Sequence, residues 1–254
     1  MTGIATACIV FACVSCGALM GMLLRRVLPE HHLNGDSKDV LKLGMGLVAT
    51  LTALVLGLLI ASAKSQYDGQ RDGLDQISAK FILVDAALAQ YGPEAASARG
   101  LLRQAVASAL DRIWPQDSSQ ASSLTARDTT AGARAIYGLV EGLSPHNDMQ
   151  SRLQSQTLQL LQELGQTRWL LAAQQESRAI PLPFLIVLVF WLAVLFASFG
   201  LLSPPNATIV AVLFVCALSV SGAVFLVLEL SRPFEGTLQL SSAPMRHALS
   251  QMGQ

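Results

Sequence analysis

The sequence predicts an all-α integral membrane protein with four transmembrane helices and a helical-bundle soluble domain inserted between the second and the third. Three observations predict it. Residues 2–24, 43–62, 181–202 and 208–228 form apolar runs without a Lys, Arg, Asp, Glu or His, each about the 20 residues a helix needs to cross the hydrocarbon layer. Between the second and third runs the chain changes character, because residues 64–178 hold 11 of the 17 basic and 12 of the 17 acidic residues. Nowhere in that segment do polar and apolar residues alternate with period two for long enough to mark a strand. A soluble helix shows one apolar stripe rather than an apolar circumference, so the four runs are read as facing lipid.

The expected divisions are an N-terminal transmembrane hairpin at 1–63, a soluble helical domain at 64–180, a C-terminal transmembrane hairpin at 181–230 and a tail at 231–254. The first run has no basic start, is longer than a signal-peptide core of about 7–15 residues, and closes on Arg25-Arg26. It is therefore expected as a retained helix. Residues 26–42 carry Pro29, Asn34-Gly35 and Asp36, which favour turns. His31-His32 in that linker lack further ligands at metal-site spacing.

The second run does not stop at the bilayer surface. No Pro or turn cluster interrupts residues 43–90, and from Leu74 the apolar residues Ile77, Phe81, Val84, Leu88 and Tyr91 follow at heptad spacing. One long helix is expected, ending near Tyr91-Gly92-Pro93. A second soluble helix fits residues 94–114, with Leu102, Val106, Leu110 and Ile113 on one face. A third fits about 123–143, with Ile136, Tyr137, Val140 and Leu143 inward. Ser144-Pro145 then signals the start of a fourth, Ser as cap and Pro at the first position. That helix runs to about Ala179, with Leu153, Leu160, Leu161, Leu164 and Leu171 as core candidates. Pro181 and Pro183 mark a kink into the third run. Ser203-Pro204-Pro205-Asn206 forms an uncharged turn between the last two runs.

Four crossings put both termini and the soluble domain on one side. That side carries Lys64, Arg71, Lys80, Arg168, Arg178, Arg232 and Arg246; the other carries Arg25, Arg26, Lys38 and Lys42. By the positive-inside rule this count favours a cytoplasmic domain in the cell's inner membrane. Arg25-Arg26, following an uncharged start, pulls the other way.

Composition narrows the function. Charged residues are 13% of the chain and formal net charge is zero, so no basic excess points to nucleic acid. The soluble segment has one His, His146, and no Cys. Nucleotide-loop, paired-His metal and nucleophile-elbow motifs are all missing, so neither an enzyme nor a cofactor is expected. Cys8, Cys13, Cys16 and Cys216 all lie within the apolar runs. Cys13-x-x-Cys16 lacks the βαβ context of a redox motif, so these residues are read as helix-packing residues.

Two features inside the runs bear on function. Gly46, Thr50, Ala53, Gly57 and Ala61 share one face of the second helix, followed on that face by Lys64. Such a stripe fits two readings, a seam for close helix packing or the lining of a narrow pathway. Gly17-x-x-x-Gly21 in the first run is a second close-approach motif, read as packing. The runs contain no internal ionisable group of the kind proton relays use. Glu229, just past the fourth run, is the nearest exception, and Arg232 three residues on is placed to pair with it.

Several strings are familiar together: residues 46–68; Pro181-Leu-Pro-Phe-Leu with Trp191 and Phe199-Gly200; Glu229-Leu-Ser-Arg-Pro-Phe-Glu-Gly236; and Ser241-Ser-Ala-Pro-Met-Arg246. In this layout the chain resembles the bacterial bestrophin-like membrane family. The post-span motif Glu229, Arg232, Pro233, Phe234 and Gly236 is its most specific part. Ser231 stands where many relatives carry Asp, so no acidic site is inferred there. The resemblance implies a homo-oligomeric anion channel in the lipid bilayer. It also implies chloride or other small ions as cargo, a second transmembrane helix lining the pore, and soluble helices forming a vestibule. Calcium regulation is not implied, since no matching acidic cluster is present. The competing reading is a non-conducting scaffold or sensor whose helical domain binds a partner, with the Gln- and Ala-rich fourth soluble helix as the surface.

Overall fold

This computed structural model describes residues 3–27, 35–114, 126–176, 182–204, 206–234 and 237–252. Among them the secondary structure is entirely helical: α1 (Gly3–Val27), α2 (Gly35–Tyr91), α3 (Ala96–Ile113), α4 (Ala126–Glu141), α5 (Asp148–Glu176), α6 (Leu182–Leu202), α7 (Ala207–Leu230) and α8 (Ala243–Gln251), with a 3-10 turn at Pro93–Ala95 before α3. Helices α1, α2, α6 and α7 are each long and apolar enough to cross a membrane. His31 and His32 lie outside the described residues.

The chain forms two compact units. One comprises Met1–Asp68 with Arg178–Gln239, the other Gly69–Ser177 with Leu240–Gln254. Helix α2 is continuous through the division and is 57 residues long, about 85 Å at 1.5 Å per residue. It begins earlier than the turn-rich linker suggests, since Gly35 to Lys42 are already helical. Asp39 and Lys42 pair one turn apart at 2.9 Å.

In the first unit α1 packs chiefly on α6 and also on α7. The core is Val10, Val14 and Ala18 of α1 with Leu188, Leu192 and Phe196 of α6 and Ala217 and Val224 of α7. Phe11 meets Phe214 edge-on at 5.2 Å between ring centroids. Glycine permits this α1–α6 crossing. A Cβ on Gly17 would lie 2.7 Å from the Ala193 carbonyl oxygen, and Cβ atoms on Gly21 and Gly200 would overlap the backbone of Ala197 and Ala18. The Gly17-x-x-x-Gly21 motif thus serves close packing, which in lipid depends on small residues because no hydrophobic force draws helices together. Gly21→Leu is expected to destabilise the fold by about 1–3 kcal/mol or more through overpacking. Gly222→Ala, where a Cβ meets only open space, is expected to be neutral or better; thermal unfolding in detergent compares the two.

Arg25 has a local role that its place in a charge count does not reveal. Its Nη1 donates to the Leu202 carbonyl at 3.0 Å, satisfying one of the carbonyls that the end of α6 leaves free.

In the second unit the heptad seam of α2 is buried as its spacing requires. Leu74, Ile77, Val84, Leu88 and Tyr91 are interior, and Phe81 packs beside them. They meet Leu102, Val106 and Leu110 of α3, Ile136 and Val140 of α4, and Leu153 of α5. Helix α2 ends at Gly92, whose φ of 127° is open to glycine and rarely to other residues. Asp85 of α2 is buried and accepts two hydrogen bonds from Arg99 of α3, both 2.9 Å.

Helix α5 starts at Asp148, later than Ser144-Pro145 suggests. Its cap is Asn147, whose Oδ1 accepts the Gln150 N–H at 2.8 Å, while Gln150 Oε1 accepts the His146 N–H at 2.7 Å. This reciprocal arrangement is a variant of the capping box, and it outcompetes a Pro that offers only a fixed φ. The C-terminal helix α8 packs on α3 through Met245, Ala248 and Met252. The Trp114 indole N–H holds the segment before it by donating to the Leu240 carbonyl at 2.8 Å.

Candidate functional site

The apolar half of α2 is the least buried of the four membrane-length segments. One face of it packs within its own unit. Thr52 and Ala63 are buried, and Val55, Leu56 and Leu59 pack on the core formed by α1, α6 and α7. These positions share one face at 100° per residue. The Thr52 hydroxyl would be costly in such a place, but it donates to the Val48 carbonyl at 2.7 Å.

Gly46, Thr50, Ala53, Gly57 and Ala61 lie on the other side, and all are exposed. A Cβ on Gly46 or Gly57 would meet nothing within 4 Å, so among the described residues nothing packs on these two positions of the stripe. Thr50 donates its hydroxyl to the Gly46 carbonyl at 2.8 Å, so the face presents satisfied backbone, methyl groups and bare glycine. Beside it runs a ridge of exposed leucines: Leu47, Leu54 and Leu58, each 60–64% accessible. Lys64 continues the stripe and pairs with Asp68 one turn on. The exposed face of α2 is therefore two adjacent strips, one small and one bulky, without a charge until Lys64.

The post-span motif makes a second constellation. Glu229, in the last turn of α7, is 5% exposed. Sequence spacing offers Arg232 as its partner, and two hydrogen bonds reach it from Thr237. Its backbone N–H donates to Oε2 at 2.7 Å and its hydroxyl to the same oxygen at 2.9 Å. Arg232 is exposed and adds favourable charge nearby. Its backbone N–H and that of Ser231 close the end of α7 on the Glu229 and Val227 carbonyls at 3.0 and 3.2 Å. Pro233 is buried and Phe234 half-buried, while Gly236 lies outside the described residues. Gly3, at the start of α1, faces the other carboxylate oxygen, where a Cβ would come within 2.7 Å of Oε1. A helix N-terminus is a favourable neighbour for a carboxylate. The buried charge thus fastens the post-span turn to the end of α7. Nothing local in sequence marks Thr237, which lies eight residues beyond Glu229.

Glu229→Leu is expected to speed amide hydrogen exchange at Thr237 by roughly tenfold or more, the loss of a hydrogen bond to a charged acceptor. Glu229→Gln, which keeps an acceptor oxygen, is expected to fall between.

Among the described residues no three His, Cys, Asp or Glu side chains group as a metal site. Cys8, Cys13, Cys16 and Cys216 are free and exposed.

No curated protein sequence matches the chain. Its fold is that of crystal structures of a bacterial bestrophin homologue from Klebsiella pneumoniae. One single-residue variant of that homologue superposes with a TM-score of 0.71 at 13% identity, covering 100% of this chain and 99% of the other. A second gives 0.69 at 14% identity with 98% and 100% covered, and a third 0.67 at 14% identity with 96% and 99% covered. The bestrophin-like domain matches residues 12–245. With that match running from within α1 into α8, across helices of membrane-crossing length, this membrane protein belongs to the bestrophin-like family.

Proposed function

We propose that the protein is a homo-oligomeric ion channel in which copies of α2 ring a central axis and line the pathway. Family membership supports conduction as the activity. The observation that carries the finer reading is the exposed face of α2. A helix with an apolar circumference leaves its small-residue stripe and leucine ridge exposed among the described residues. Other copies of the same helix would cover part of that surface, and the remainder would border the axis. Gly46, Thr50, Ala53, Gly57 and Ala61 are assigned to the pathway, with a bore set by small side chains and ringed by apolar ones. Chloride or another small ion is the cargo, since no ionisable relay lies within the spans.

In this reading α1, α2, α6 and α7 cross the inner membrane four times. The bundle built on α3, α4 and α5, together with both termini, lies in the cytoplasm. The motif at Glu229, Arg232, Pro233, Phe234 and Gly236 fixes the chain where it leaves the bilayer.

The test is chloride efflux from sealed liposomes containing the purified full-length protein. Efflux well above that of empty liposomes is expected. Its absence in a folded, monodisperse preparation overturns the proposal.

A second reading, a non-conducting scaffold, draws on α5, where Trp169 and Leu170 are exposed side by side. Reproducible co-purification of one partner, lost in Trp169→Ser, together with an absence of flux would favour it.

A further inference from the structure

We propose that the cleft between α2, α6 and α7 seats one hydrocarbon chain of a bilayer lipid. Leu56 and Leu59 of α2, Leu185 and Leu188 of α6, and Val227 and Leu228 of α7 line it. Leu188 and Val227 are 1% and 4% exposed, whereas Leu56, Leu59, Leu185 and Leu228 are half-buried. The cleft therefore has a closed floor and an open mouth. These residues all belong to the first unit, so the cleft is a feature of one packed body.

Among the described residues only leucine and valine line it. A trapped water needs two to four polar partners, and this lining offers none. Left empty, the cleft forfeits dispersion contacts on each wall. A hydrocarbon chain that enters recovers them. Moving a chain from lipid to protein brings no hydrophobic gain, so packing against these walls is what holds it. Size narrows the occupant further. Counted out to its mouth, the cleft encloses about 230 Å³, below the roughly 300–1,000 Å³ of pockets for drug-sized ligands. That suits a stretch of one chain rather than a ring system.

Depth and direction agree with lipid. Leu59 lies five residues before Lys64, and Leu228 two residues before the end of α7. At 1.5 Å per residue these positions are about 3–8 Å from the polar edge of their spans. One leaflet's hydrocarbon is about 15 Å deep, so the cleft meets the upper methylenes of a phospholipid whose headgroup stays at the surface. Leu56 and Leu59 lie about 130° round α2 from the stripe at Gly57, at 100° per residue. Copies of α2 meeting through that stripe leave the cleft to lipid. The inference rests on the proposed crossing of the bilayer and needs no conduction.

The experiment places the full-length protein in phosphatidylcholine nanodiscs containing a small fraction of the same lipid with a diazirine on one acyl chain. Irradiation attaches that chain, with loss of nitrogen, to the side chain beside it, and mass spectrometry locates the adducts. Ile186 and Leu226, 60% and 49% exposed, neighbour Leu185 and Leu228 in sequence and report the lipid that merely surrounds the protein. A seated chain is expected to label Leu59, Leu185 and Leu228 severalfold more than Ile186 and Leu226, although the three leucines are less exposed. Leu59→Phe, which puts a larger side chain at the cleft, should lower the adducts at Leu185 and Leu228 severalfold and leave those at Ile186 unchanged. Adducts that simply follow exposure overturn the proposal, as does undiminished labelling of the cleft in Leu59→Phe. An unlabelled cleft beside labelled Ile186 and Leu226 also overturns it, in favour of an empty cleft or one filled by a second copy. Absence of adducts at Ile186 and Leu226 as well overturns it together with the bilayer crossing on which it rests. Should Leu59→Phe fail to fold, the wild-type comparison decides alone.

Discussion

Arg99→Ala is expected to lower stability by about 3 kcal/mol or more and to be among the most damaging single changes in the chain. Asp85 lies within the seam between α2 and α3, with its side chain 9% exposed. Its two oxygens accept from Nε and Nη2 of Arg99 at 2.9 Å each. The hydrogen bonds to Asp85 are the main reason the Arg99 guanidinium is held above its ordinary range, with burial opposing and charge attraction adding. Truncating the arginine leaves a buried carboxylate without its counter-ion, and removing one partner of a buried pair costs about 3–5 kcal/mol. Thermal unfolding followed by circular dichroism should fall by roughly 5–10 °C. The double substitution Asp85→Ala and Arg99→Ala should recover part of the loss, because no orphaned charge remains. A double variant worse than Arg99→Ala by the full additive amount would show that the two residues act independently.

Gly57→Trp is expected to bring chloride efflux down to that of empty liposomes while leaving the unfolding temperature nearly unchanged. The two halves of that expectation rest on different observations. A Cβ at Gly57 meets no atom of the described residues within 4 Å, so this position has room to carry a larger side chain. If copies of α2 ring an axis, the introduced indole enters the pathway or the seam between copies, and conduction suffers either way. Chemical crosslinking separates these outcomes, since an indole in the pathway leaves the oligomer intact and one in the seam dissociates it. Gly222→Trp is the control. That glycine, on α7, is exposed and likewise meets nothing, and its substitution should leave efflux at the wild-type level. Loss of efflux in both variants would remove α2 from the pathway argument.

The helices were legible because their signals are local. Leu74, Ile77, Val84 and Leu88 announce the buried side of α2 by spacing alone, and the apolar runs announce α1, α6 and α7 by length and the absence of charge. Helix ends were less legible. Ser144-Pro145 carries a strong start signal, but Asn147 and Gln150 form the cap, because two reciprocal hydrogen bonds outweigh a preset φ. Residues 35–42 contain turn-favouring types yet join α2, where the cooperativity of an established helix extends it through weak formers.

The site divides in the same way. Gly46, Thr50, Ala53, Gly57 and Ala61 could be placed on one face from their spacing. That this face lies open, while the face bearing Thr52, Leu56 and Leu59 is covered, depends on where α6 and α7 sit. Glu229 could be singled out as the one acid beside a membrane run. Its fastening to Thr237, with Gly3 leaving room for the second oxygen, could not be read along the chain.

The sequence by itself determined the all-helical class, the four apolar rods and the seam of the polar bundle, because hydrophobicity and periodicity are properties of neighbouring residues. Tertiary structure alone decided the pairing of Asp85 with Arg99, the capping of α6 by Arg25, the anchoring of Glu229 and the open side of α2. Each of these joins or separates groups that are not neighbours along the chain, and only packing brings them within the few ångströms at which hydrogen bonds and charges act.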